Sequence, residues 1–226
     1  MPDKPHVLIT GAAGGIGRAL TAGFAAAGYT VTGVDRSAAD GIVALDITDT
    51  AAVKTFAAKF ETLEVLVNAA GILRHRDEYD IAVFEDVLDV NLTGAMRRAT
   101  ACEPALARAR GSIINIASMH AYFGAPHAPA YAASKAGIAQ LTKSLAVAWG
   151  KSGIRVNAIA PGWIVTPMTE RARGDEARSA GILARTPMAR WGNPEELVGP
   201  VLFLASDAAR FVTGVVLPVD GGYSAM

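Results

Sequence analysis

An α/β fold with one parallel sheet, doubly wound by helices on both faces, is what this sequence predicts, and three observations carry the prediction. Short β-branched apolar runs alternate with longer segments of helical period along all 226 residues. Most of those runs are continuously apolar, as expected of strands covered on both faces. No linker, internal repeat or low-complexity tract interrupts the rhythm, so 1–226 reads as a single domain.

The strand candidates, in order, are Val7 to Thr10, Thr30 to Val34, Ile42 to Leu45, Val65 to Val67, Ser112 to Ala117, Arg155 to Ala160 and Val215 to Val219. Between the first two, Ile16, Leu20, Phe24 and Ala27 recur at helical spacing, and Gly28 ends the helix. Further helices are expected over Thr50 to Phe60, Ile81 to Ala107, Tyr131 to Trp149 and Pro194 to Ala205. Pro194 suits a first helical turn and Asn193 its cap. One segment breaks the pattern. Residues 167–191 lie between a strand and a helix with neither a long apolar run nor a clear strand, and a connection of that length inside a domain is expected to be a substrate lid or a disordered segment.

Composition excludes several classes. Twenty-one basic and 21 acidic residues cancel, which leaves no charge excess to hold a nucleic acid or an anionic membrane. The 45 alanines account for much of the 51% hydrophobic content and point to close helix packing. No apolar run approaches the ~20 residues of a spanning helix. The start, Met-Pro-Asp-Lys-Pro, leads into an apolar stretch too short for a signal peptide, so a cytoplasmic location is expected. Cys102 is the single cysteine and reads as packing material. No metal is expected, because no histidine pair or acidic cluster has ligand spacing.

The first strand ends in Thr10-Gly11-Ala12-Ala13-Gly14-Gly15-Ile16-Gly17 and runs into a helix. Glycines let backbone approach a pyrophosphate without an intervening Cβ, and free N–H groups at a helix start favour the anion. The spacing is Gly-x-x-x-Gly-x-Gly, so the general dinucleotide fingerprint is met in mechanism and not in letter. Eighteen residues beyond Gly17, Asp35 closes the second strand, where a carboxylate accepts a ribose hydroxyl and repels a 2′-phosphate. That selects NAD. Arg36, beside it, is a cation of the kind that takes the extra phosphate, and Asp35 is given the greater weight.

Tyr131 and Lys135 share a face of one predicted helix, and an ammonium near a phenol favours its ionised form. Ser118 follows a strand at its carboxyl end, where open α/β sheets hold ligands, and its hydroxyl suits an oxygen gaining negative charge.

With these residues in view, the chain resembles the classical short-chain dehydrogenase/reductase family over essentially its whole length. Thr10-Gly11-x-x-x-Gly15-Ile16-Gly17 matches the family's cofactor motif, and Asn68-Ala69-Ala70-Gly71 its Asn-Asn-Ala-Gly strand end, with Ala69 for the second Asn. Asn91, Ser118, Tyr131 and Lys135 follow the order of its catalytic tetrad, and Pro161-Gly162 with Thr166 its nicotinamide-side motif. The resemblance implies a seven-stranded parallel Rossmann fold and a homotetramer or homodimer. It implies metal-independent hydride transfer between NAD and a secondary alcohol or ketone, the substrate being a small hydroxy compound such as a polyol or sugar. Tyr131 would be the general acid/base and Ser118 would polarise the substrate oxygen. Lys135 would bind the nicotinamide ribose and lower the tyrosine pKa, while Asn91 would hold a water linking Lys135 to solvent. Ile164 and Thr166 would contact the carboxamide, and Asp46 the adenine. The implied cofactor site is completed by Asn68, Ala70 and Gly71, by Pro161 and Gly162, and by Tyr131 and Lys135 themselves. Gly14 stands where NADP-preferring members carry a base, which again points to NAD.

Two other readings stay open at this stage. An NADP-dependent ketone reductase of the 3-ketoacyl thioester type would need an open basic approach for its carrier arm. A non-catalytic NAD-binding sensor would keep the glycine turn and Asp35 without the reacting groups. Around the substrate, His120 and Tyr122 follow Ser118, and Trp163 and Met168 suit an apolar wall. Arg74, His75 and Arg76 read as a solvated loop, and the five arginines against three acids of 167–191 read as a solvated face, with attraction of an anionic substrate as the other reading.

Overall fold

The computed structural model describes residues 4–226; Met1, Pro2 and Asp3, part of the amino-terminal segment weighed above, lie outside the described residues. Strand β1 (His6–Thr10) leads through the glycine turn into α1 (Gly15–Ala26), and β2 (Thr30–Asp35) follows. Next come β3 (Ile42–Ala44), α2 (Thr50–Ala57) and β4 (Val65–Asn68). Helices α3 (Ile81–Leu88) and α4 (Gly94–Ala109) precede β5 (Ser112–Ile116), and α5 (Pro129–Trp149) precedes β6 (Arg155–Pro161). Two helices, α6 (Glu170–Arg173) and α7 (Glu176–Arg185), cross the expected lid, before α8 (Val198–Ala205) and β7 (Val216–Val219).

All seven strands form one parallel sheet in the order β3-β2-β1-β4-β5-β6-β7. The order reverses between β1 and β4, so their carboxyl ends, Thr10 and Asn68, flank the crevice where such sheets bind ligands. Side chains of period two divide the core into layers. Leu8, Leu66 and Ile113 pack with Val53, Ala99, Cys102 and Leu145 of α2, α4 and α5. Val7, Ile9 and Ile114 pack on the other face with Leu20 and Phe24 of α1 and Val201 and Leu204 of α8. Cys102 is a buried free thiol within the first layer.

Two expectations about helices are corrected. The helix foreseen from Ile81 to Ala107 is broken by a π-helical turn, Asp89–Thr93, which holds Asn91. A π turn inserts one residue into the ladder and re-aims the side chains around it, a device common at functional sites. The segment 167–191 is also more ordered than its sequence pattern suggests. A 3₁₀ turn, Pro167–Thr169, starts it, and Asp175 caps α7 by accepting the Arg178 N–H at 3.0 Å. At the other capped start, Pro194 opens a 3₁₀ turn and Glu196 accepts the Asn193 N–H at 2.8 Å. Among the described residues no helix is long and apolar enough to cross a membrane.

Candidate active site

The glycine turn floors a cleft of about 610 Å³ at the topological switch. Gly11 has φ of +69° and lies so close to the next strand end that a Cβ would sit 2.7 Å from the Ala70 Cα. A Cβ on Gly17 would overlap the Gly11 carbonyl. The turn therefore has no room for a side chain at Gly11 or Gly17, and α1 begins with no acidic residue in its first turn. Backbone N–H groups and the positive helix end face the cleft, as a pyrophosphate requires. Asp35 stands at one end, its carboxylate accepting the Ala13 N–H at 3.0 Å and the Arg36 N–H at 2.7 Å.

Most of the expected cofactor residues line this cleft: Gly11, Gly15, Ile16 and Gly17 from the turn, Ala70 and Gly71 after β4, and Asp46 and Thr166. Thr166 closes over the turn, with its Cγ2 2.9 Å from where a Gly15 Cβ would stand. Hydrogen bonds from the Thr48 hydroxyl and N–H, at 2.7 and 2.9 Å, lower the Asp46 pKa. A dinucleotide fits these residues, since the floor admits phosphate oxygens and an acceptor awaits the ribose.

Other expected cofactor residues sit elsewhere. Asn68 is buried and belongs to a polar ladder through the sheet. It accepts from Arg98 Nε at 2.8 Å and donates to Asn115 at 2.9 Å, and Asn115 donates to the Thr142 hydroxyl at 2.9 Å. Its amide is consumed by neighbouring elements, which is why it does not line the cleft. Ile164 turns into the core layer that contains Phe24 and Leu197. Pro161 ends β6, and Gly162 lines a second, adjoining cavity.

That second cavity, about 270 Å³, contains the reacting groups expected from the sequence, Ser118 and Tyr131. Ser118 caps a short 3₁₀ turn, its Oγ accepting the His120 N–H at 3.2 Å. Tyr131 and Lys135 lie one turn apart on α5, with Lys135 Nζ 5.4 Å from the centre of the phenol ring. Lys135 is buried and donates to the Ile116 carbonyl at 2.7 Å. Burial pulls its pKa down to about 8, helped by the charge of Arg98. Burial also raises the Tyr131 pKa, against a hydrogen bond with Ser118 that lowers it. In the protein alone burial outweighs the expected acidifying effect of the amine. Asn91 exchanges hydrogen bonds with the backbone of Ile72 at 2.8 and 3.0 Å and donates to the Ser134 hydroxyl at 3.1 Å, which ties the π turn to the loop after β4 and to α5. Gly71 adjoins both groups; a Cβ there would lie 3.3 Å from Asn91 Oδ1 and 3.6 Å from Lys135 Nζ.

Trp163, Met168, His120 and His75 line the same cavity, whereas Tyr122 lies outside its lining, exposed. Sequence reasoning passed over Glu78, His127, Tyr223 and the individual role of Arg178. Glu78 had only its place in the run Arg76-Asp77-Glu78, which reads as solvent-facing. It is buried, accepting the Arg74 and Tyr131 N–H groups at 2.9 Å each.

A family model described as enoyl-(acyl carrier protein) reductase matches residues 11–224. The chain belongs to the short-chain dehydrogenase/reductase family. It is 37% identical to a 2-dehydro-3-deoxy-D-gluconate 5-dehydrogenase of Escherichia coli (strain K12), over 96% of this chain and 94% of that one. It is 39% identical to a galactitol 2-dehydrogenase (L-tagatose-forming) of Cereibacter sphaeroides, over 98% and 96%. Among solved structures, a gluconate 5-dehydrogenase from Burkholderia cenocepacia J2315, in complex with NADP and tartrate, superposes with a TM-score of 0.94 at 34% identity, covering 99% of this chain and 96% of that chain. As a short-chain dehydrogenase/reductase, the protein is an NAD(P)-dependent oxidoreductase acting on CH–OH groups. The tetrad candidates Ser118, Tyr131 and Lys135 thus lie together between the glycine cleft and the smaller cavity.

Proposed function

We propose that this short-chain dehydrogenase/reductase interconverts a secondary alcohol and a ketone on a small polyol or sugar-derived compound, with NAD as the preferred cofactor. The observation that carries the reading is the meeting of Ser118 and Tyr131 in a 270 Å³ cavity that adjoins a glycine-floored cleft suited to a dinucleotide. Relatives named for 2-dehydro-3-deoxy-D-gluconate and for galactitol support the substrate class.

A nicotinamide dinucleotide held by the glycine turn, Asp35 and Thr166 would supply the hydride acceptor for the alcohol or the hydride donor for the ketone. Tyr131 takes the hydroxyl proton in oxidation and gives it back in reduction. Ser118 donates a hydrogen bond to the same oxygen as its charge changes. Lys135 holds the nicotinamide ribose, and Asn91 keeps the loop after β4 in register with α5 through Ile72 and Ser134. Residues 167–191 serve as the substrate lid, their α6 and α7 roofing the cavity with Ala172 and Arg178. Preference for NAD rests on Asp35, whose negative charge at the cleft end repels a 2′-phosphate. The family resemblance further assigns a homotetramer or homodimer, which light scattering tests.

The test is a panel of polyols, sugars and their keto forms assayed with NAD and NADP by absorbance of the reduced nicotinamide, on the native protein and on Tyr131→Phe. Turnover should fall by about 10²- to 10⁴-fold in the variant while NAD affinity stays within a few-fold. A variant that turns over at the native rate removes Tyr131 from the chemistry.

A further inference from the structure

The smaller cavity has an asymmetric set of charges. Among the described residues its lining includes Arg178 and three histidines, His75, His120 and His127, and no aspartate or glutamate. The nearby carboxylate of Glu78 is turned away, both oxygens being engaged by the Arg74 and Tyr131 N–H groups. Arg178 is half-buried, and among the described residues it forms no salt bridge. Its guanidinium lies 6.0 Å from the ring centre of Trp163, whose own Nε1 is buried without an acceptor among the described residues.

A path along the wall connects this guanidinium with the reacting phenol. The imidazole of His120 lies 6.1 Å from the Tyr131 ring and 6.1 Å from the Trp163 ring, and Arg178 follows beyond Trp163. One end of the cavity therefore bears the proposed proton-transfer group, and two aromatic rings further on stands a cation without a carboxylate partner among the described residues. The aromatic wall is itself braced, with Trp191 packed edge-on to Trp163 at 5.6 Å and donating to the Ser179 hydroxyl at 3.1 Å.

We infer that the substrate carries a carboxylate, held by Arg178 on α7 while the alcohol carbon lies at Tyr131. This rests on the oxidoreductase reading above and narrows its substrate class from hydroxy compounds in general to small hydroxy acids. A guanidinium presents paired N–H groups that match a carboxylate, and in a partly desolvated pocket such charge-assisted bonds are strong. A monoanion suits the site better than a dianionic phosphate. Burial, the main cause, holds His75 and His120 below the ordinary histidine pKa, and Arg178 itself adds to both shifts, which leaves these two rings neutral near pH 7. A cavity of 270 Å³ further restricts the ligand to a small molecule.

The experiment is calorimetric titration of the protein saturated with NADH, with D-gluconate and D-glucitol as six-carbon probes that differ in the terminal carboxylate. The native protein should bind gluconate roughly tenfold to a hundredfold more tightly than glucitol. Arg178→Met should bring the ratio near one, and Arg178→Lys should recover part of it. Equal binding of the two probes by the native protein, or a preference that survives in Arg178→Met, overturns the inference. Preferential gluconate binding that is lost in Arg178→Met, without oxidation of either probe by NAD or NADP, leaves the anchor standing and counts only against the polyol and sugar substrates of the proposed function.

Discussion

The carboxylate of Glu78, on the loop after β4, accepts the backbone N–H of Tyr131 at 2.9 Å in the first turn of α5. Its other oxygen accepts the Arg74 N–H at the same distance. One buried side chain thus joins the rim of the cofactor cleft to the helix that carries the reacting phenol. Under the proposed function Glu78 is a positioning residue, acting through the placement of Tyr131.

Removing that carboxylate leaves two backbone donors without their acceptor. Glu78→Ala should lose about 1–3 kcal/mol of stability in urea unfolding. Glu78→Gln keeps one acceptor oxygen and should recover part of the loss. Both variants should lower kcat more than they raise KM, because the displaced group is Tyr131. A loss of stability with kcat unchanged would assign Glu78 to folding alone.

Asp35 should govern the choice of dinucleotide. Asp35→Asn retains an acceptor for Ala13 but removes the charge, and it should raise the NADP-to-NAD ratio of kcat/KM at least tenfold. Asp35→Ser should shift the ratio in the same direction with a lower Tm, since a shorter side chain releases the turn. A ratio that stays put in both would move the preference to another residue.

Lys135 makes stability depend on pH. Its folded-state pKa is depressed from 10.5 to about 8 by burial, so between those values the unfolded chain binds a proton that the folded chain does not. Stability from this group accordingly rises as pH climbs from 8 to 10.5 and is lost as pH falls back through 8. The full difference is about 3 kcal/mol, an upper figure for one buried amine. Lys135→Met has no ammonium to bury, so its stability advantage over the native protein should shrink between pH 7.5 and 10. A constant difference in urea midpoints across that range would contradict the assignment.

Much of the site was readable from local patterns. The glycine turn is legible because pyrophosphate binding depends on backbone reach and on a helix start a few residues away, both encoded within Thr10 to Gly17. The Tyr131 and Lys135 pair is legible because an offset of four places two side chains on one helix face whatever the rest of the chain does. Asn68 shows the limit. Its position after a strand was clear, but its amide is bound by Arg98 and Asn115, partners 30 and 47 residues away. The same limit hid Glu78, whose neighbours in sequence are solvent-facing charges while its partner is 53 residues distant.

Periodicity, turn glycines and helix spacing were sufficient to specify the alternating elements, the rhythm of a parallel doubly wound sheet and the shared helix face of Tyr131 and Lys135, because each pattern is written within a short stretch of chain, whereas the full set of candidate reacting residues came from the family resemblance. The tertiary packing settled the π turn at Asn91, the order within 167–191, and the convergence of Arg178, Trp163 and His120 on one small cavity. Those features arise where separate elements meet, and the free energy of such meetings lies in burial and complementary shape, which no short stretch of chain contains.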